Sequence, residues 1–506
     1  MRGLVLAQKT DRKDCVLLLL LILAAVGLRL FPLTFNSFSD PDYYYHLRQI
    51  GAVLENQGIP KIDPLSNLGR QYTYYPLFHL MGASIAALTG LNPLDAYMAL
   101  SILAVVISVL SVFIASREFL DALGIDSKYA YTAALFAATI PVFIIRQTVF
   151  SRPDAFAPAI IALLLWSVLK RKPVAAAILG ASCALLHPLT FLMAGGIVAF
   201  AVVVDYAACK TGKEDGLFIS KKESIWEALR KGAGLPIVTY GIFGATAASY
   251  YLSFPLWMLS AKTTYLTATE MVSANPISFF HYFGVMAVFA MLGFAECAWD
   301  KKRTKAVGLF AAAVLSVLLI YAAQRNVSYA GPASAIMASA GIAYAAKKSR
   351  QYSTWVWVLV GISCAVSASL AATSFGPQYT DAQLSGFSYM GKMDKAPVMA
   401  IWDRGHAITY LSGQQVVVDG YFEFEPKLDE KVMDIGEVYL SKDEKLVSYL
   451  AGKYGARIIF FDNKTKSVYN GDQNAFSNAF ENGSGIMDKV FDTGDAQVFK
   501  IRNSSG

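Results

Sequence analysis

The sequence predicts a polytopic α-helical membrane protein that ends in a C-terminal α/β domain, and three observations support this prediction. Of the 506 residues, 55% are hydrophobic and 16% charged, with a mean hydropathy of +0.43, which is too apolar for a water-soluble protein of this size. Apolar runs long enough to cross a bilayer recur up to about residue 373. Residues 375–506 instead alternate short strand-like and helix-like stretches and carry 14 Lys and Arg against 18 Asp and Glu, whereas the rest carries 30 against 19.

About eleven apolar runs meet the criterion of roughly 20 residues for a transmembrane helix, some short ones included. They lie at residues 15–34, 95–116, 129–146, 154–169, 173–188, 189–209, 234–255, 278–298, 306–323, 329–346 and 353–373. The first run follows a basic N-terminal segment without a small-residue cleavage site, so we expect it to remain as an anchor. A further run at 76–91 is short and lies between TYYP and GLNP, which leaves open whether it crosses.

The Lys and Arg residues assign a side to each loop, because cytoplasmic loops carry an excess of them. If 76–91 does not cross, the N-terminus and every strongly basic loop lie on the cytoplasmic side. If it crosses, the later basic loops all face out, so we interpret it as a re-entrant or interfacial segment. The expectation is a multi-pass protein of the cell membrane, with a membrane domain at 1–374 and long external loops at 35–94 and 257–277.

Residues 375–506 are expected to form an extracytoplasmic globular domain. The strand-like stretches are APVMAIW, QQVVVDGYF, RIIFF and AQVFKI, and the helical ones are SKDEKLVSYLAGKYG and QNAFSNAFENG. About 130 residues are enough for a separate core. Asn463, Asn482 and Asn503 begin Asn-x-Ser/Thr sequons, which are acceptor sites for glycosylation unless they arise by chance.

The first candidate site is SDPDYYYHLR at residues 39–48, directly after the first apolar run. Asp40 and Asp42 offer hard carboxylate oxygens of the kind that Mg²⁺ or Mn²⁺ prefers, and the tyrosines at 43–45 suit an interfacial belt. A plain juxtamembrane turn explains the same residues.

Charged residues in the other external loops would meet at the same membrane face. The loop before the run at 154–169 contains Arg146 and Arg152, and Asp154 begins that run. A carboxylate at a helix N-terminus is stabilised by the helix dipole whether or not it has a function. Glu270 is the single acid of the long third loop, and Arg325 lies at a membrane edge. The alternative explanations are that Asp154 only caps its helix, that the arginines only extend toward the membrane surface, and that Glu270 is a solvated loop acid.

In the tail, Trp402 and Asp403 come immediately after a predicted strand, a common place for a binding site. An aromatic residue and an acid there could bind a peptide hydroxyl, although an ordinary α/β turn explains them as well. The histidines His79, His187 and His281 are expected to be packed rather than ligands.

Five stretches in one order carry a resemblance to a known family. They are SDPDYYYHLR with YTYYPLFHL, RQTVFSRPDAFAPAIIALLL, TATEMVSANPISFFHYFG, QRNVSYAGPASAIMASAGIA and IWDRGHAITYLSGQQVVVDG. Together they resemble the oligosaccharyltransferase catalytic subunits, most closely the archaeal single-subunit AglB-type enzymes. The resemblance implies a GT-C type glycosyltransferase fold with about 11 to 13 transmembrane helices.

The resemblance also implies a reaction and residue roles. A glycan would pass from a polyprenyl or dolichyl (pyro)phosphate to the Asn of an Asn-x-Ser/Thr acceptor protein, in a single-subunit enzyme that depends on Mn²⁺ or Mg²⁺. Asp40, Asp154 and Glu270 would bind the metal and act in catalysis. Arg325, with Arg146 and Arg152, would contact the donor phosphate. Trp402 and Asp403 would bind the acceptor hydroxyl.

Three departures from the family pattern keep alternatives open. Phe156 stands where a second acid or a histidine is expected, and Arg404 follows Asp403 in a motif that usually reads WWDYG. In a different register of the third loop, Ala274 would take the place of Glu270. The alternatives are a related transferase that moves one sugar from a polyprenyl phosphate, and a catalytically silent paralogue.

Overall fold

The computed structural model describes residues 12–38, 40–71, 74–212, 215–251, 282–299, 303–322, 326–348, 351, 353–373, 376–422, 425–469, 475–480 and 483–502. Two compact units account for the chain. The membrane unit comprises Met1–Phe31, Tyr75–Phe78 and Met98–Phe375, and the C-terminal unit comprises Pro32–Tyr74, His79–Tyr97 and Gly376–Gly506. Residues 32–74, which follow the first apolar run, therefore fold with the tail.

The described helices run in the following order. They are α1 (Arg12–Arg29), α2 (Asp42–Glu55), α3 (Pro76–Thr89), α4 (Pro93–Ala122), α5 (Ala130–Thr139), α6 (Pro141–Ile144), α7 (Ala157–Leu169), α8 (Pro173–Leu186), α9 (Pro188–Thr211), α10 (Ile225–Arg230), α11 (Gly234–Tyr251), α12 (Val285–Trp299), α13 (Arg303–Ala322), α14 (Val327–Lys348), α15 (Ser353–Thr373), α16 (Asp381–Met390), α17 (Trp402–Ser412), α18 (Leu428–Leu440), α19 (Glu444–Lys453), α20 (Asn463–Val468) and α21 (Ala475–Phe480).

Apolar helices dominate the first 373 residues, as the hydropathy predicts. Four stretches of the described chain are long and apolar enough to cross a membrane, Arg12–Thr34, Pro93–Ala122, Pro188–Thr211 and Thr354–Ala371. Six further apolar helices are shorter. The run predicted at 129–146 breaks into α5 and α6 at Ile140, because Pro141 has no N–H to continue the helical hydrogen bonds. The chain has the apolar helices of a membrane protein, and the count of eleven spans stays a prediction.

The ambiguous segment at 76–91 contains α3, which has 14 residues. At 1.5 Å per residue such a helix is roughly 21 Å long, which is short of the roughly 30 Å hydrocarbon core. Helices α7 and α8 are as short, with 13 and 14 residues, so length does not separate α3 from the predicted spans. The re-entrant or interfacial placement of 76–91, and with it the side of the later loops, stays a prediction.

Close contacts between helices organise the membrane unit. Every residue from 327 to 343 in α14 is buried, so this helix is enclosed on all sides. A Cβ atom added at Gly341 would lie 1.9 Å from the Phe289 carbonyl oxygen, and one added at Gly293 would lie 2.1 Å from that of Met337. Glycine therefore lets α12 and α14 approach backbone to backbone, as in other membrane helix pairs.

The C-terminal unit contains a four-stranded mixed sheet. Its strands are β3 (Val398–Met399), β4 (Ile458–Asp462), β5 (Met487–Asp492) and β6 (Ala496–Ile501), in the order β3-β4-β6-β5, with β3 parallel to β4 and the other pairs antiparallel. A separate hairpin from the first loop has strands β1 (Ile62–Asp63) and β2 (Arg70–Gln71). Side chains of β4 alternate between two cores, with Ile459 and Phe461 on one face and Ile458 and Phe460 on the other.

Most of the predicted tail elements are present. APVMAIW, RIIFF and AQVFKI contain β3, β4 and β6, and the two predicted helical stretches contain α19 and α21. The stretch QQVVVDGYF is not a strand, since only Val416 makes isolated bridges, to Ser66 and Val398. Strand β5 was not predicted, because its sequence MDKVFD alternates only weakly between apolar and polar residues.

Candidate active site

The carboxylates of the first candidate site lie where α2 begins, in the C-terminal unit. Asp40 Oδ1 accepts a hydrogen bond of 3.0 Å from the backbone N–H of Asp42, which is the first residue of the helix. Both side chains are half-buried. Two acids at a helix N-terminus are stabilised by the helix dipole, and their oxygens are of the kind that Mg²⁺ or Mn²⁺ prefers.

The tyrosines that follow are buried rather than interfacial, so the expected belt is wrong. Tyr44 packs against Tyr379 and Tyr410, with ring centroids 5.7 and 5.9 Å apart. Tyr45 packs against His406 and the ring of another tyrosine, at residue 421, each at 5.1 Å. The tail covers this face of α2, and burying phenol rings against apolar neighbours is favourable.

The predicted acceptor residues lie at the start of α17. Trp402 is half-buried, and its ring meets Phe422 edge-on at 5.5 Å. The Asp403 carboxylate is mostly buried and accepts charge-assisted contacts from Arg404 at 3.0 Å and from Lys464 Nζ at 2.7 Å. A carboxylate held between two cations is fixed in place and keeps lone pairs for a further donor.

Arg404 is a residue whose role the sequence did not reveal. Its Nε donates to Asp462 Oδ2 over 2.6 Å, and its guanidinium lies 4.9 Å from the ring centroid of Tyr379. Burial alone would lower the pKa of Arg404, but the charges of Asp462 and Asp403, with the Tyr379 hydroxyl, outweigh it and raise the pKa. The unusual arginine in the WDRG motif was the signal that could have found this ion-pair cluster.

The loop at residues 146–153, which the sequence places outside the cytoplasm as a prediction, is held in the membrane unit by buried polar contacts with α4. Gln147 Nε2 donates to Ser108 Oγ and to the Ala155 carbonyl, both over 2.7 Å. The backbone N–H of Ser151 donates to Ser101 Oγ over 3.0 Å. These contacts determine the path of the chain into Asp154, and they leave the two predicted phosphate ligands of this loop, Arg146 and Arg152, half-buried.

Asp154 has the clearest sign of a missing ligand in the described chain. It is 7% exposed, and its Oδ1 is buried without a hydrogen-bond partner. The buried side-chain oxygens of Asn326 (Oδ1) and Ser328 (Oγ) also have none. Buried polar atoms are rarely left unsatisfied, so this carboxylate oxygen is a candidate contact for a water, a cation or a substrate.

A histidine expected to be merely packed takes part in a polar chain in the same unit. His187 is the N-cap of α9, and its Nδ1 lies 2.9 Å from Thr190 Oγ1, which lies 3.2 Å from the Tyr329 hydroxyl. The Tyr329 hydroxyl also interacts electrostatically with Asp154 and Arg146. A histidine directly before the proline that opens a helix was the available signal.

Two of the three predicted metal ligands, Asp40 and Asp154, lie within the described residues. Asp40, Asp42 and the unpartnered oxygen of Asp154 are hard oxygen donors, which suit Mn²⁺ or Mg²⁺. Within the described ranges, no group of three or more His, Cys, Asp and Glu residues is arranged to hold a metal ion. Phe156 is buried at the position of the missing second acid. Glu270 and Arg325 lie outside the described residues.

The chain resembles known proteins through its fold. No protein-family model and no curated protein matches it. Among solved structures it is similar to the archaeal oligosaccharyltransferase AglB from Archaeoglobus fulgidus in complex with an inhibitory peptide and a dolichol-phosphate, with 14% identity and a TM-score of 0.67 over 98% of this chain and 75% of that one.

Two further structures agree with this likeness. The Archaeoglobus fulgidus oligosaccharyltransferase in complex with Zn and sulfate matches with 13% identity and a TM-score of 0.64, over 91% of this chain and 70% of that one. ArnT from Cupriavidus metallidurans bound to undecaprenyl phosphate matches with 11% identity and a TM-score of 0.51, over 97% of both chains. The resemblance to AglB seen in the motifs is confirmed at the level of structure, and the chain has the GT-C glycosyltransferase fold.

Proposed function

We propose that the chain is an oligosaccharyltransferase, which transfers a glycan from a polyprenyl or dolichyl (pyro)phosphate to the Asn of an Asn-x-Ser/Thr acceptor. The observation that carries this choice is the folded tail, in which Trp402 and Asp403 begin a helix and Asp403 is held by Arg404 and Lys464. A peptide-binding role for these residues would distinguish the enzyme from a transferase that acts on a lipid. The AglB structure with a bound inhibitory peptide supports a peptide acceptor.

The donor half of the site is assigned to acids and arginines in the external loops. Asp40, Asp154 and Glu270 would hold Mn²⁺ or Mg²⁺, which when bound supplies positive charge to the donor phosphate. Arg146, Arg152 and Arg325 would neutralise the same phosphate by charge-assisted hydrogen bonds. The unpartnered Asp154 oxygen supports this assignment, because a cation would satisfy it.

In the proposed reaction the acceptor amide nitrogen attacks the anomeric carbon of the glycan. A C–N bond forms, the C–O bond to the lipid phosphate breaks, and the phosphate oxygen leaves with the electron pair. The amide proton passes to a carboxylate of the site and then to solvent. An amide is a weak nucleophile, so carboxylates that fix and polarise it, together with charge compensation on the leaving phosphate, are what this step requires.

The proposed location follows from the loop charges. The enzyme would be a single subunit that spans the cell membrane many times, with a cytoplasmic N-terminus and with the C-terminal unit outside the cytoplasm. The lipid-linked donor and the acceptor protein would meet at this outer face.

Glycan transfer from a lipid-linked donor extract to a fluorescent Asn-x-Thr peptide tests the proposal, with Mn²⁺, with Mg²⁺ and with chelator. We expect metal-dependent product from the wild type and at least a hundredfold less from Asp40→Ala and from Asp154→Asn, on the usual scale of losing a charge-stabilising group. Asp126→Asn is the matched control, because Asp126 pairs with Lys128 in an exposed cap. No transfer by the wild type with either metal would contradict the proposal.

A single-sugar transferase is the second candidate, and Phe156 together with the likeness to ArnT over nearly all of both chains favours it. It predicts addition of one sugar from a polyprenyl phosphate to a lipid or protein, without a requirement for the Thr of the peptide. Replacing that Thr by Ala in the acceptor separates the two candidates. Binding of the lipid donor without turnover would identify a silent paralogue.

A further inference from the structure

The C-terminal unit contains a buried cluster of charges that the proposed reaction does not use. Three cations pair with three carboxylates, and all of these side chains are 11% exposed or less. The members are Arg48, Asp63, Arg70, Asp419, Glu425 and Lys431. Burying this many charges is costly unless each one is paired in good geometry, and here every member has a partner.

Arg70 is at the centre of the cluster. Its two terminal nitrogens donate to the two oxygens of Asp419 over 2.8 and 2.9 Å, and Nη2 also donates to Asp63 Oδ2 over 3.0 Å. The third carboxylate, Glu425, lies 3.2 Å from Nη1. Only the planar fork of an arginine satisfies several carboxylates at once in fixed directions.

A continuous line of these contacts joins α2 to α17. Arg48 in α2 donates to both oxygens of Asp63 over 2.6 and 2.8 Å, and Asp63 meets Arg70. Arg70 then binds Asp419, whose Oδ2 lies 3.6 Å from His406 Nδ1 in α17. Helix α2 begins at Asp42, beside Asp40, and helix α17 begins with Trp402 and Asp403.

Backbone contacts seat the hairpin that carries Asp63 and Arg70 against the tail. The N–H of Asn67 donates to the Val416 carbonyl over 3.0 Å, and the N–H of Val416 donates to the Leu65 carbonyl over 3.1 Å. The turn of the hairpin therefore packs against the tail at Val416, which in turn bridges Val398 of β3. Arg70 thus reaches the cluster from a hairpin that is held by backbone hydrogen bonds.

We propose that Arg70 is a positioning residue that holds the metal-binding start of α2 and the acceptor-binding start of α17 in one fixed arrangement. The fixed arrangement is inferred from the contacts alone. Its use in catalysis rests on the proposed function. Arg70 is not among the residues assigned to the donor or to the acceptor. It acts through Asp63 and Arg48 on one helix and through Asp419 on the other.

The distance between the two helices is the direct measurement. Spin labels at Glu55→Cys in α2 and Tyr410→Cys in α17 report this distance in the full-length protein, and both positions are exposed. The background carries Cys15→Ser, because Cys15 is exposed and the other four cysteines are buried. We expect one narrow distance distribution in the wild-type background and a distribution at least twice as wide with Arg70→Lys. Arg502→Lys is the matched control, because Arg502 makes an exposed pair with Asp488 in the same unit.

Kinetics give the second readout. Arg70→Lys should lower kcat for glycan transfer at least tenfold and leave KM for the lipid donor within twofold, whereas Arg502→Lys should change neither. If Arg70→Lys does not fold, Arg48→Lys interrupts the same line at its other end and takes its place. A distance distribution as narrow as the wild type overturns the proposal, whatever happens to transfer. A widened distribution in a chain with no transferase activity upholds the fixed arrangement and removes the proposed function.

Discussion

The carboxylate of Asp419 shows how one buried residue depends on its neighbours. Burial alone would raise the pKa of Asp419, but the positive charge of Arg70, then that of His406, and the hydrogen bonds from Arg70 hold it well below its usual range. Burial lowers the pKa of His406, an effect that Asp419 and Asp42 partly oppose and Arg48 reinforces. The two groups therefore contribute to stability in different pH windows.

We predict that the free energy of unfolding falls as the pH is lowered from about 7 to about 5. An unfolded chain binds a proton at His406 near its ordinary pKa of 6.5, whereas the folded chain does so only at a lower pH. The contribution of neutral His406 is therefore complete above the unfolded pKa and is lost as the pH falls through this window.

Denaturant titration of the purified protein at several pH values tests this, with His406→Gln expected to make the slope shallower. Asp419, whose folded pKa is depressed, contributes stability above its unfolded pKa of about 3.8 and loses it only at lower pH. The two contributions can thus be separated. An identical slope in wild type and variant would show that His406 is not the titrating group.

Asn463 illustrates how a sequon can be present and still be a poor acceptor. Thr465 is fully buried, and both its N–H and its hydroxyl donate to Asp462 Oδ1 over 2.8 Å. The Asn463 amide itself donates to Asp495 over 2.5 Å. The hydroxyl that a transferase would recognise is thus occupied in the fold.

If the proposed function holds, we predict that Asn463 stays unmodified in the natively folded protein and becomes glycosylated once the tail is unfolded. Peptide mass spectrometry after incubation with lipid-linked donor measures the occupancy. An unfolded tail fragment that contains residues 463–465 serves as the positive control. Substantial glycan on Asn463 of the folded protein would contradict this reading of Thr465.

At the scale of elements, the membrane helices depend on close backbone approach. Because lipid gives no hydrophobic force between helices, packing and small residues hold them together. We predict that Gly341→Ala lowers the stability of the membrane unit by about 1–3 kcal/mol, the usual cost of overpacking. Its new methyl group would collide with the Phe289 carbonyl in α12.

The matched control is Gly361→Ala in α15, where an added Cβ meets nothing within 4 Å. It should leave the thermal midpoint unchanged or raise it, since alanine favours a helix by about 1 kcal/mol over glycine. Thermal unfolding in detergent gives both midpoints. Equal shifts in the two variants would mean that the α12–α14 contact is not the cause.

At the scale of the whole molecule, the loop charges predict opposite sides for two exposed positions. In a Cys15→Ser background, an impermeant maleimide applied to intact cells should label Ser467→Cys in the tail and leave Lys172→Cys, between α7 and α8, unlabelled until the membrane is permeabilised. Both positions are exposed, and the remaining cysteines are buried. The reverse pattern would mean that the segment at 76–91 crosses the membrane.

The sequence alone predicted the apolar helices and most of the tail strands, but it did not predict the break of the run at 129–146 before Pro141. Hydrophobic content and periodicity are local properties, and each run carries its own signal. The motifs also singled out Asp154, whose unpartnered oxygen is now visible, and Trp402 with Asp403 at the start of a helix. The metal, phosphate and acceptor roles remain predictions for all of the assigned residues, Glu270 and Arg325 included.

Only the tertiary structure decided which polar residues meet. Arg70 and Asp419 are 349 positions apart, and nothing near either one in the sequence indicates the other. Thr190 and Tyr329 are likewise far apart in the sequence, and neither indicates the other. Nothing near Tyr44 in the sequence indicates that Tyr379 of the tail packs against it. A buried charge must find its partner wherever the fold brings one close, so such pairings follow from the packed structure and not from local pattern.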